Sequence, residues 1–429
     1  MVHRSDLIAI LPIHVPGIYT VSGGRQVGKT TLLKQWMAGL ICNRVDPRRI
    51  FYITGELVDD HHSLVRLATD TLNEMADTAI NYLIIDEVTY IKHWDKGIKY
   101  LADAGMLENV MLVLTGSDML ILKESRIRFP GRRGVHDEVD FHLYPLSFYE
   151  YVQLKATFTE NELGVLTQPK ADPHPDLIIR LYNEFGNYLI HGGYLTAIND
   201  MARHGKILPT TFSTYSDWIR GDILKRNKRE HYLKEILSAL IKRYGSQITW
   251  NTLAQDLSID HPMTVTDYVN LLASMDAVFI QPAIREDTLC AAPKKAKKIM
   301  FTDPFIYHAI RAWLFPVKDP FVHQIQPLLT EKSEASKIVE ACVATLYRRY
   351  YPTFYIKAEG EVDIAYVNSN RFWPVEIKWT RQLHPKQLKQ IAKYPHGRIL
   401  TGLKVRGEIN NIPTEPLPLA MLKLGIRDG

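Results

Sequence analysis

A glycine-rich segment near the amino terminus carries the residue types that hold phosphates. Residues 23–30, Gly-Gly-Arg-Gln-Val-Gly-Lys-Thr, fit the pattern GxxxxGK[ST] between an apolar run and a helical pattern. Glycines let such a loop wrap around phosphates with its N–H groups pointing inward, and the helix that follows adds partial positive charge. We expect Lys29 to reach the β- and γ-phosphates and the Thr30 hydroxyl to hold magnesium.

Two adjacent acids follow a second apolar run at residues 82–85. Asp86 is expected at the carboxyl edge of a parallel sheet, beside the phosphate loop, where such sheets bind ligands. It can hold magnesium through water, and Glu87 can accept a proton from the attacking water. Two acids that merely cap a strand are the structural alternative. Together with residues 23–30, the pair predicts binding and hydrolysis of ATP.

A polar segment, Thr115-Gly116-Ser117, ends the apolar run at residues 110–115. Thr115 or Ser117 is a candidate sensor of the γ-phosphate, and a plain turn at a strand end is the alternative. The extra apolar run at residues 50–54 is typical of ATPases with a paired Asp-Glu rather than of nucleotide kinases. The predicted nucleotide-binding residues are Gly23, Gly24, Arg25, Gln26, Val27, Gly28, Lys29, Thr30, Thr31, Asp86 and Ser117.

The elements that must position these residues alternate between apolar runs and helical patterns. This alternation predicts a doubly wound α/β domain with a parallel sheet. A helical stretch follows, then three helices and two strands in the order of a winged helix, then a helix and further strands. The predicted domains are an ATPase core at 1–146, an attached helical segment at 147–230, a winged helix at 231–310, and a C-terminal α/β domain at 311–429.

Bulk composition narrows the class of protein. A length of 429 residues favours two to three domains, and 46% hydrophobic with 23% charged residues is typical of a soluble globular protein. Three cysteines far apart, without a CxxC pair, exclude a disulfide framework and a zinc ribbon. No signal peptide is expected, and no apolar run approaches the roughly 20 residues that span a bilayer. We therefore predict a cytoplasmic protein without a membrane partner.

Seven segments spread over most of the chain are distinctive: SGGRQVGKTTLL, LIIDEVTYIKHW, LTGSDML, PGRRG, YPLSFYEY, HGGYLTA and KKIMFTD. They resemble a large prokaryotic family of AAA-type ATPases that carry a C-terminal domain of unknown function. That family is similar in turn to the signal-transducing branch of AAA-like ATPases. The resemblance implies an ATPase, a winged helix and a C-terminal fold related to restriction endonucleases.

Four arginines crowd the loop before residues 142–147: Arg126, Arg128, Arg132 and Arg133. An arginine from a neighbouring subunit can stabilise the charge of a transferring phosphoryl group, and a solvated basic loop is the alternative. The Gly-Arg signature of the resembled family points to Arg132 as this arginine. Such a role implies a homo-oligomer.

The last domain contains Glu361-Val362-Asp363 and, after twelve residues, Glu376-Ile377-Lys378. This is the spacing of a PD-(D/E)xK restriction-endonuclease-like core. Asp363 and Glu376 can hold magnesium, and Lys378, on the same strand face as Glu376, can position the attacking water. Alternating charges on an exposed strand are the alternative. The family resemblance adds Glu340, in IVEACV, as a further metal ligand.

Three basic clusters favour a DNA partner, although solvated faces are the alternative for each. They lie at residues 220–229, 294–298 and 371–398, whereas the net charge of +5 is too mild to argue for nucleic acid. The predicted third helix of the winged helix, residues 264–274, has no arginine or lysine. We therefore expect contacts with the DNA backbone rather than base reading.

The sequence thus predicts an ATP-hydrolysing, DNA-binding AAA-type ATPase that gates a magnesium-dependent C-terminal nuclease. A nucleotide-controlled signalling or assembly switch, whose nuclease-like domain only binds a partner, is the first alternative. A small-molecule kinase is disfavoured because Glu87 supplies a carboxylate that activates water. The predicted catalytic residues are Glu87, Lys29, Arg132, Asp363, Glu376 and Lys378, and the predicted magnesium ligands are Thr30, Asp86, Glu340, Asp363 and Glu376.

Overall fold

The computed structural model describes residues 3–75, 79–117, 129, 133–134, 136, 138–168, 173–255, 257–259, 261–379 and 388–426. The chain divides into two compact units. The N-terminal unit comprises residues 2–144 with 274–276, and the C-terminal unit comprises residues 145–273 with 277–429. The domain boundaries expected from the sequence remain predictions, and each unit is described by itself.

The described part of the N-terminal unit contains a parallel sheet of five strands in the order β2-β3-β4-β1-β5. Both faces of this sheet are covered, so successive residues of one strand enter different cores. In β3, Leu83 and Ile85 join one apolar cluster, while Tyr82 and Ile84 join the other. The strands are β1 Gly17–Ser22, β2 Ile50–Thr54, β3 Asn81–Asp86, β4 Val110–Gly116 and β5 Asp140–His142. The predicted parallel α/β fold is confirmed.

Helices connect these strands and pack on the sheet. The helix that follows β1 buries Leu32, Leu33 and Trp36 along one face. The α-helices of this unit are Leu7–Ile10, Lys29–Cys42, His61–Glu74 and Trp94–Asp103, with 3-10 turns at Pro47–Arg49, Gly55–Leu57 and Val88–Tyr90.

The C-terminal unit begins with a helical region. Its helices are Phe148–Lys155, Glu160–Thr167, Pro175–His191, Leu195–His204, Pro209–Lys225, Glu230–Lys242, Trp250–Gln255 and Pro262–Ser274, the last of which ends in the N-terminal unit. No helix in the described part of the chain is both long and apolar enough to cross a membrane.

A small antiparallel sheet follows these helices in the order β6-β10-β7. Its strands are β6 Gln247–Ile248, β7 Val278–Pro282 and β10 Lys297–Phe301. A hairpin of β8 Ile284–Arg285 and β9 Cys290–Ala291 lies between β7 and β10. The three predicted helices and the two predicted strands, β7 and β10, are present in that order, whereas β6, β8 and β9 were not predicted. The assignment as a winged helix remains a prediction.

A mixed sheet of six described strands, in the order β11-β12-β13-β14-β16-β15, forms the end of the chain. Strands β13, β14 and β16 run parallel, and their other neighbours pair antiparallel. The strands are β11 Thr353–Lys357, β12 Glu361–Asn368, β13 Arg371–Lys378, β14 Arg398–Thr401, β15 Gly407–Ile409 and β16 Ile412–Pro416. The accompanying helices are Pro304–Leu314, Phe321–Ile325, Gln326–Thr330, Lys332–Arg348, Ile391–Lys393 and Leu417–Leu424. The predicted C-terminal α/β arrangement is present, and its assignment as restriction-endonuclease-like remains a prediction.

Two distant segments of the C-terminal unit meet at a pair of glycines. Gly192 has a φ of +56°, and a Cβ atom there would lie 1.6 Å from Asp303 Oδ1. The Gly193 N–H donates to Asp303 Oδ2 at 2.8 Å, and the Phe305 N–H donates to Asp303 Oδ1 at 2.8 Å. The buried Asp303 therefore caps helix Pro304–Leu314 and anchors the turn after helix Pro175–His191.

Candidate active site

The phosphate-loop sequence forms a turn that only glycine accommodates at two positions. Strand β1 ends at Ser22, and helix Lys29–Cys42 begins directly after Gly28. Gly23 has a φ of +155°, and a Cβ atom there would lie 2.4 Å from the Leu143 carbonyl oxygen. Gly28 has a φ of +104°, a conformation that side chains other than glycine rarely adopt. The glycines therefore set the geometry of the loop between β1 and this helix, and its binding of phosphate remains a prediction.

Lys29 is buried at the mouth of this loop, with 5% of its surface exposed. Its ammonium donates to the carbonyl oxygens of Gly23 at 3.1 Å and Gly24 at 3.0 Å. It also lies 3.4 Å from Glu87 Oε1. Burial lowers the pKa of Lys29, and the charge of Glu87 opposes that shift. The ammonium thus lies where the loop backbone and an acidic side chain converge.

Asp86, at the end of β3, joins three hydroxyl groups. Its Oδ2 accepts hydrogen bonds from the Thr30 hydroxyl at 2.6 Å and from the Tyr52 hydroxyl at 2.7 Å. Its Oδ1 accepts one from the Thr115 hydroxyl at 2.5 Å. Hydroxyl and carboxylate oxygens are the ligands that magnesium prefers, so the Thr30–Asp86 pair fits a magnesium ion.

Glu87 occupies a left-handed backbone conformation with a φ of 53°. Its N–H donates to the Thr115 hydroxyl at 2.9 Å, so this hydroxyl accepts from Glu87 while it donates to Asp86. A Cβ atom at Gly55 would lie 2.4 Å from the Glu87 carbonyl oxygen. Position 55 therefore requires glycine if the backbone of Glu87 is to keep this conformation. The Glu87 Oε2 atom is buried and has no hydrogen-bond partner among the described residues. A buried acceptor of this kind fits a water molecule or a ligand donor.

The other predicted nucleotide-binding residues lie in or beside the loop. Arg25 donates to the Tyr90 hydroxyl at 3.0 Å. Ser117 is buried just beyond β4. Gly24, Gln26 and Val27 lie in the loop, and Thr31 lies in the first turn of the following helix.

Arg132, the predicted arginine finger, lies outside the described residues, as do Arg126 and Arg128. Arg133 forms an ion pair with Asp140 at 2.6 Å and donates to the Ile18 carbonyl oxygen at 3.3 Å. Its guanidinium therefore braces strands β1 and β5.

Sequence reasoning missed Tyr52 and gave Thr115 a different task. Thr54 is the register partner of Asp86, which places Tyr52 and Asp86 on the same face of neighbouring parallel strands. Burial and the bond to Asp86 raise the pKa of Tyr52, so its hydroxyl remains a donor. The alternation of side chains along a strand could have indicated that Tyr52 and Asp86 share a face. That inference also required the register of β2 against β3, which the sequence does not give.

The predicted acidic residues of the last domain are brought to one region. The Ile377 N–H donates to Asp363 Oδ2 at 2.8 Å, and the Lys378 ammonium donates to Glu376 Oε1 at 2.5 Å. Glu376 and Asp363 are both buried. Burial, with Asp363 close by, raises the pKa of Glu376, and Lys378 opposes that shift.

Carboxylate oxygens of Glu340, Glu361 and Asp363 lie within 4.8 Å of one another, and we call these three residues the carboxylate cluster. Glu340 and Asp363 were predicted as metal ligands, whereas Glu361 was not. Glu361 and Asp363 are two apart on β12, so the alternation argument that joined Glu376 to Lys378 applied to this pair as well.

A lysine that sequence reasoning did not connect with this cluster reaches into it. Lys298, in β10, places its ammonium 2.6 Å from Glu340 Oε1 and 3.7 Å from Asp363 Oδ1, and it also forms an ion pair with Glu361. Burial alone would lower the pKa of Lys298, but the surrounding carboxylates outweigh it and raise the pKa. Lys298 is therefore held as an ammonium ion.

Comparison with known proteins finds a family similarity for the part of the chain that contains the first of these two sites. Residues 16–152 match the model of an AAA domain, and residues 182–315 match a domain of unknown function (DUF8612). The AAA match contains the phosphate loop, Asp86, Glu87 and Thr115. This part of the chain has a P-loop ATPase-like fold and is similar to AAA domains, a similarity that implies a nucleotide ligand.

Two relatives match larger parts of the chain. One uncharacterized protein of Methanocaldococcus jannaschii is 23% identical over 419 residues, which cover 91% of this chain and 82% of that protein. Another from the same organism is 23% identical over 287 residues, covering 65% of this chain and 56% of that protein. The Walker-type ATPase of Pyrococcus abyssi is similar in structure over 68% of this chain and 91% of its own, with 14% identity and a TM-score of 0.43.

Proposed function

We propose that this protein binds ATP with magnesium and hydrolyses it at Lys29, Thr30, Asp86 and Glu87. The buried, unpartnered Oε2 atom of Glu87 is the observation that carries the proposal. It supports the proposal because this oxygen is free to accept a water proton, while the other oxygen of the same carboxylate, Oε1, lies 3.4 Å from the Lys29 ammonium. Hydrolysis needs such an acceptor, because the attacking water must lose a proton.

Each residue of the site has a separate task. Lys29 exchanges the loop carbonyls for phosphate oxygens, and the loop N–H groups bind the phosphate chain. Thr30 and Asp86 hold magnesium, which neutralises charge on the phosphates. Tyr52 and Thr115 fix both oxygens of Asp86. Glu87 orients the attacking water and accepts its proton, and Ser117 is the candidate contact to the γ-phosphate.

Substitution of the proposed base tests hydrolysis separately from binding. Glu87→Gln should reduce ATP turnover by roughly 100-fold or more, because general-base catalysis contributes about 10²–10⁴-fold. ATP affinity should persist in Glu87→Gln and be lost in Lys29→Ala. Glu74→Gln, an exposed change at the end of helix His61–Glu74, is the matched control. Turnover within a few-fold of the wild type in Glu87→Gln would refute the role of Glu87.

Arg132 is proposed to act across a subunit boundary in a homo-oligomer. Glu87→Gln and Arg132→Ala should each be inactive alone. Mixing them should restore part of the turnover, because a mixed oligomer pairs an intact Glu87 with an intact Arg132 from its neighbour. No recovery, in a mixture that demonstrably forms mixed oligomers, argues against a shared site.

A second proposed function is binding and magnesium-dependent cleavage of DNA by the C-terminal unit. Two observations favour it: Asp363, Glu376 and Lys378 converge, and Lys294 and Lys295 are exposed between the β8–β9 hairpin and β10. Incubation with plasmid and magnesium, with and without ATP, tests cleavage. Nicking that disappears in Lys378→Ala supports it, whereas nicking that persists in Lys378→Ala points to a contaminant.

The switch alternative makes a different forecast for the same protein. If nucleotide state controls assembly alone, a non-hydrolysable ATP analogue shifts the elution volume in gel filtration while plasmid remains intact. The nuclease proposal requires nicking whether or not such a shift occurs.

A further inference from the structure

The lysine inserted into the carboxylate cluster determines whether that cluster can hold a metal ion. We propose that Lys298 is a built-in cation that excludes magnesium from Glu340, Glu361 and Asp363 for as long as β10 keeps its present position. This inference deepens the proposed nuclease function, on which it rests, by naming the residue that keeps its metal site closed.

The Lys298 ammonium fills the space between the three carboxylates. Lys298 is 1% exposed, and its ammonium lies 2.6 Å from Glu340 Oε1. Three carboxylates that could share one metal ion lie within 4.8 Å of one another around it. Magnesium needs oxygen ligands at about 2.0–2.1 Å in near-octahedral geometry, so it would occupy the volume that the ammonium fills. The cluster does not fit magnesium while Lys298 remains.

The positive charge of Lys298 offsets the negative charges of the carboxylate cluster. The three acidic side chains of the cluster are drawn together around a single positive group. Lys378, the other lysine nearby, is engaged with Glu376. Removing the Lys298 ammonium leaves buried carboxylates whose mutual repulsion is no longer offset, and a divalent cation is the ion that restores the balance.

The small sheet of β6, β10 and β7 holds Lys298 in position. Strand β10 pairs with β6 on one side and β7 on the other, so Lys298 lies on the central strand of the small sheet. From β6, Gln247 donates to Glu361, and from β7, Gln281 donates to the carbonyl oxygens of Phe354 and Asp363, both at 3.0 Å. All three strands of the small sheet thus contact β12 or its partner β11. Because Lys298 is buried in this contact, its withdrawal requires a shift of the small sheet.

Binding of Mn²⁺ to the full-length, nucleotide-free protein tests the inference without relying on cleavage. Free Mn²⁺ is followed by electron paramagnetic resonance in the wild type, in Lys298→Met and in Lys295→Met. Lys295 is exposed on the same segment and bonds the Lys357 carbonyl oxygen instead of the cluster, which makes it the matched control. We expect Lys298→Met to bind about one Mn²⁺ more than the other two, because one octahedral ion fills the cluster.

Asp363→Asn assigns any additional ion to the cluster. In the Lys298→Met background it should remove the additional Mn²⁺, and in the wild-type background it should change nothing. A wild type that loses one Mn²⁺ on Asp363→Asn would overturn the inference, because its cluster would then already hold a metal. A Lys298→Met protein that gains no ion would overturn it equally.

Two safeguards keep the result interpretable. If Lys298→Met does not fold, the comparison of the wild type with Asp363→Asn still decides whether the native cluster binds metal. Failure of the nuclease proposal is a separate outcome. If plasmid stays intact while the Mn²⁺ counts are as expected, the nuclease proposal fails and the Lys298 inference holds. If the wild type nicks plasmid and its cluster binds Mn²⁺, the Lys298 inference fails and the nuclease proposal holds.

Discussion

The nucleotide site and the carboxylate cluster both set a buried lysine among acidic side chains, but the lysines have different origins. Lys29 bonds carbonyl groups five and six residues away in its own loop. Lys298 bonds Glu340, which is 42 residues away and on a different element. The carbonyl contacts of Lys29 therefore come from one short segment. The contacts of Lys298 exist only once the small sheet packs against the mixed sheet.

The two lysines also differ in how their charge is balanced. Burial is the main influence on Lys29 and lowers its pKa, because Glu87 and Asp86 offset it only in part. At Lys298 the carboxylates outweigh burial and raise the pKa. A lysine whose charge is only partly balanced suits an incoming phosphate, whereas one surrounded by carboxylates is already satisfied.

Replacing each lysine by methionine tests this difference most strongly. Without nucleotide or divalent ions, Lys298→Met should lower the free energy of unfolding by up to about 3–5 kcal/mol, because it leaves three partly buried carboxylates without their shared partner. Lys29→Met should cost much less, since it removes a desolvated charge with partial compensation. Urea unfolding followed by tryptophan fluorescence measures both, with Lys295→Met as the control. Equal losses for Lys29→Met and Lys298→Met would erase the distinction.

The shared hydroxyl of Thr115 provides the next test, within the nucleotide site. Thr115→Val removes both the bond to Asp86 and the bond from the Glu87 N–H. Groups that orient metal ligands typically contribute about 10- to 100-fold in activity, so ATP turnover should fall by that factor. Thr71→Val, which removes a hydroxyl bond to the Leu67 carbonyl within a helix, is the control. An unchanged rate in Thr115→Val would mean that Asp86 and Glu87 hold their positions unaided.

The unfolding free energies of the lysine variants are best compared at neutral pH. Buried histidines lower the stability of the C-terminal unit in acid. Burial lowers the pKa of His308 and of His191 from 6.5 to about 4. The unfolded chain therefore binds more protons between these values, and stability falls as the pH drops. Each histidine should cost about 2 kcal/mol between pH 7.5 and pH 5.

His308→Gln isolates one of these contributions. It can keep a donor for the Leu189 carbonyl oxygen, which lies 2.9 Å from His308 Nε2, and it does not titrate. The difference in unfolding free energy between the variant and the wild type should shift by about 2 kcal/mol over the same pH range. Asp303, whose pKa burial raises to about 7, contributes with the opposite sign and cancels in this difference. Parallel pH curves for the two proteins would contradict the assignment.

The smallest expected effect concerns DNA contact beside the Lys298 strand. If exposed Lys294 contacts a phosphate, Lys294→Ala should reduce the slope of log affinity against log salt concentration by about 1. Fluorescence anisotropy with duplex DNA at several salt concentrations measures it. Lys99→Ala, on an exposed face of helix Trp94–Asp103, should leave the slope unchanged. Equal slopes for all three proteins would place the DNA contact elsewhere.

Local pattern was sufficient for the parallel sheet and the phosphate loop. Runs such as residues 82–85 are apolar because both faces of the sheet are covered, so they identified strands without any knowledge of neighbours. Strand β5 was not predicted, because Asp140–His142 has only three residues and alternates polar with apolar. It becomes a strand through pairing with β1.

Long-range contacts account for what sequence reasoning missed. Tyr52 and Asp86 share a site only through the β2–β3 register. Lys298 was assigned to a basic surface cluster, since its neighbours Lys294, Lys295 and Lys297 are also lysines. The structure buries Lys298 while Lys294 and Lys295 are exposed. Pairing in the small sheet decides which of these four lysines points inward, and no spacing rule in the segment encodes that choice.

The contact between Gly192 and Asp303 should constrain which substitutions evolution accepts at these two positions, which are far apart in the chain. A side chain at position 192 would overlap the carboxylate of Asp303, so Gly192 cannot change freely while Asp303 stays. Among descendants of a common ancestor, a larger residue at 192 should be tolerated only where position 303 has become smaller. With a φ of 56° and a ψ of −150°, position 192 also has a backbone conformation that is essentially confined to glycine, so replacement there should be rare. Paired replacement at these two positions would record the contact in evolutionary variation.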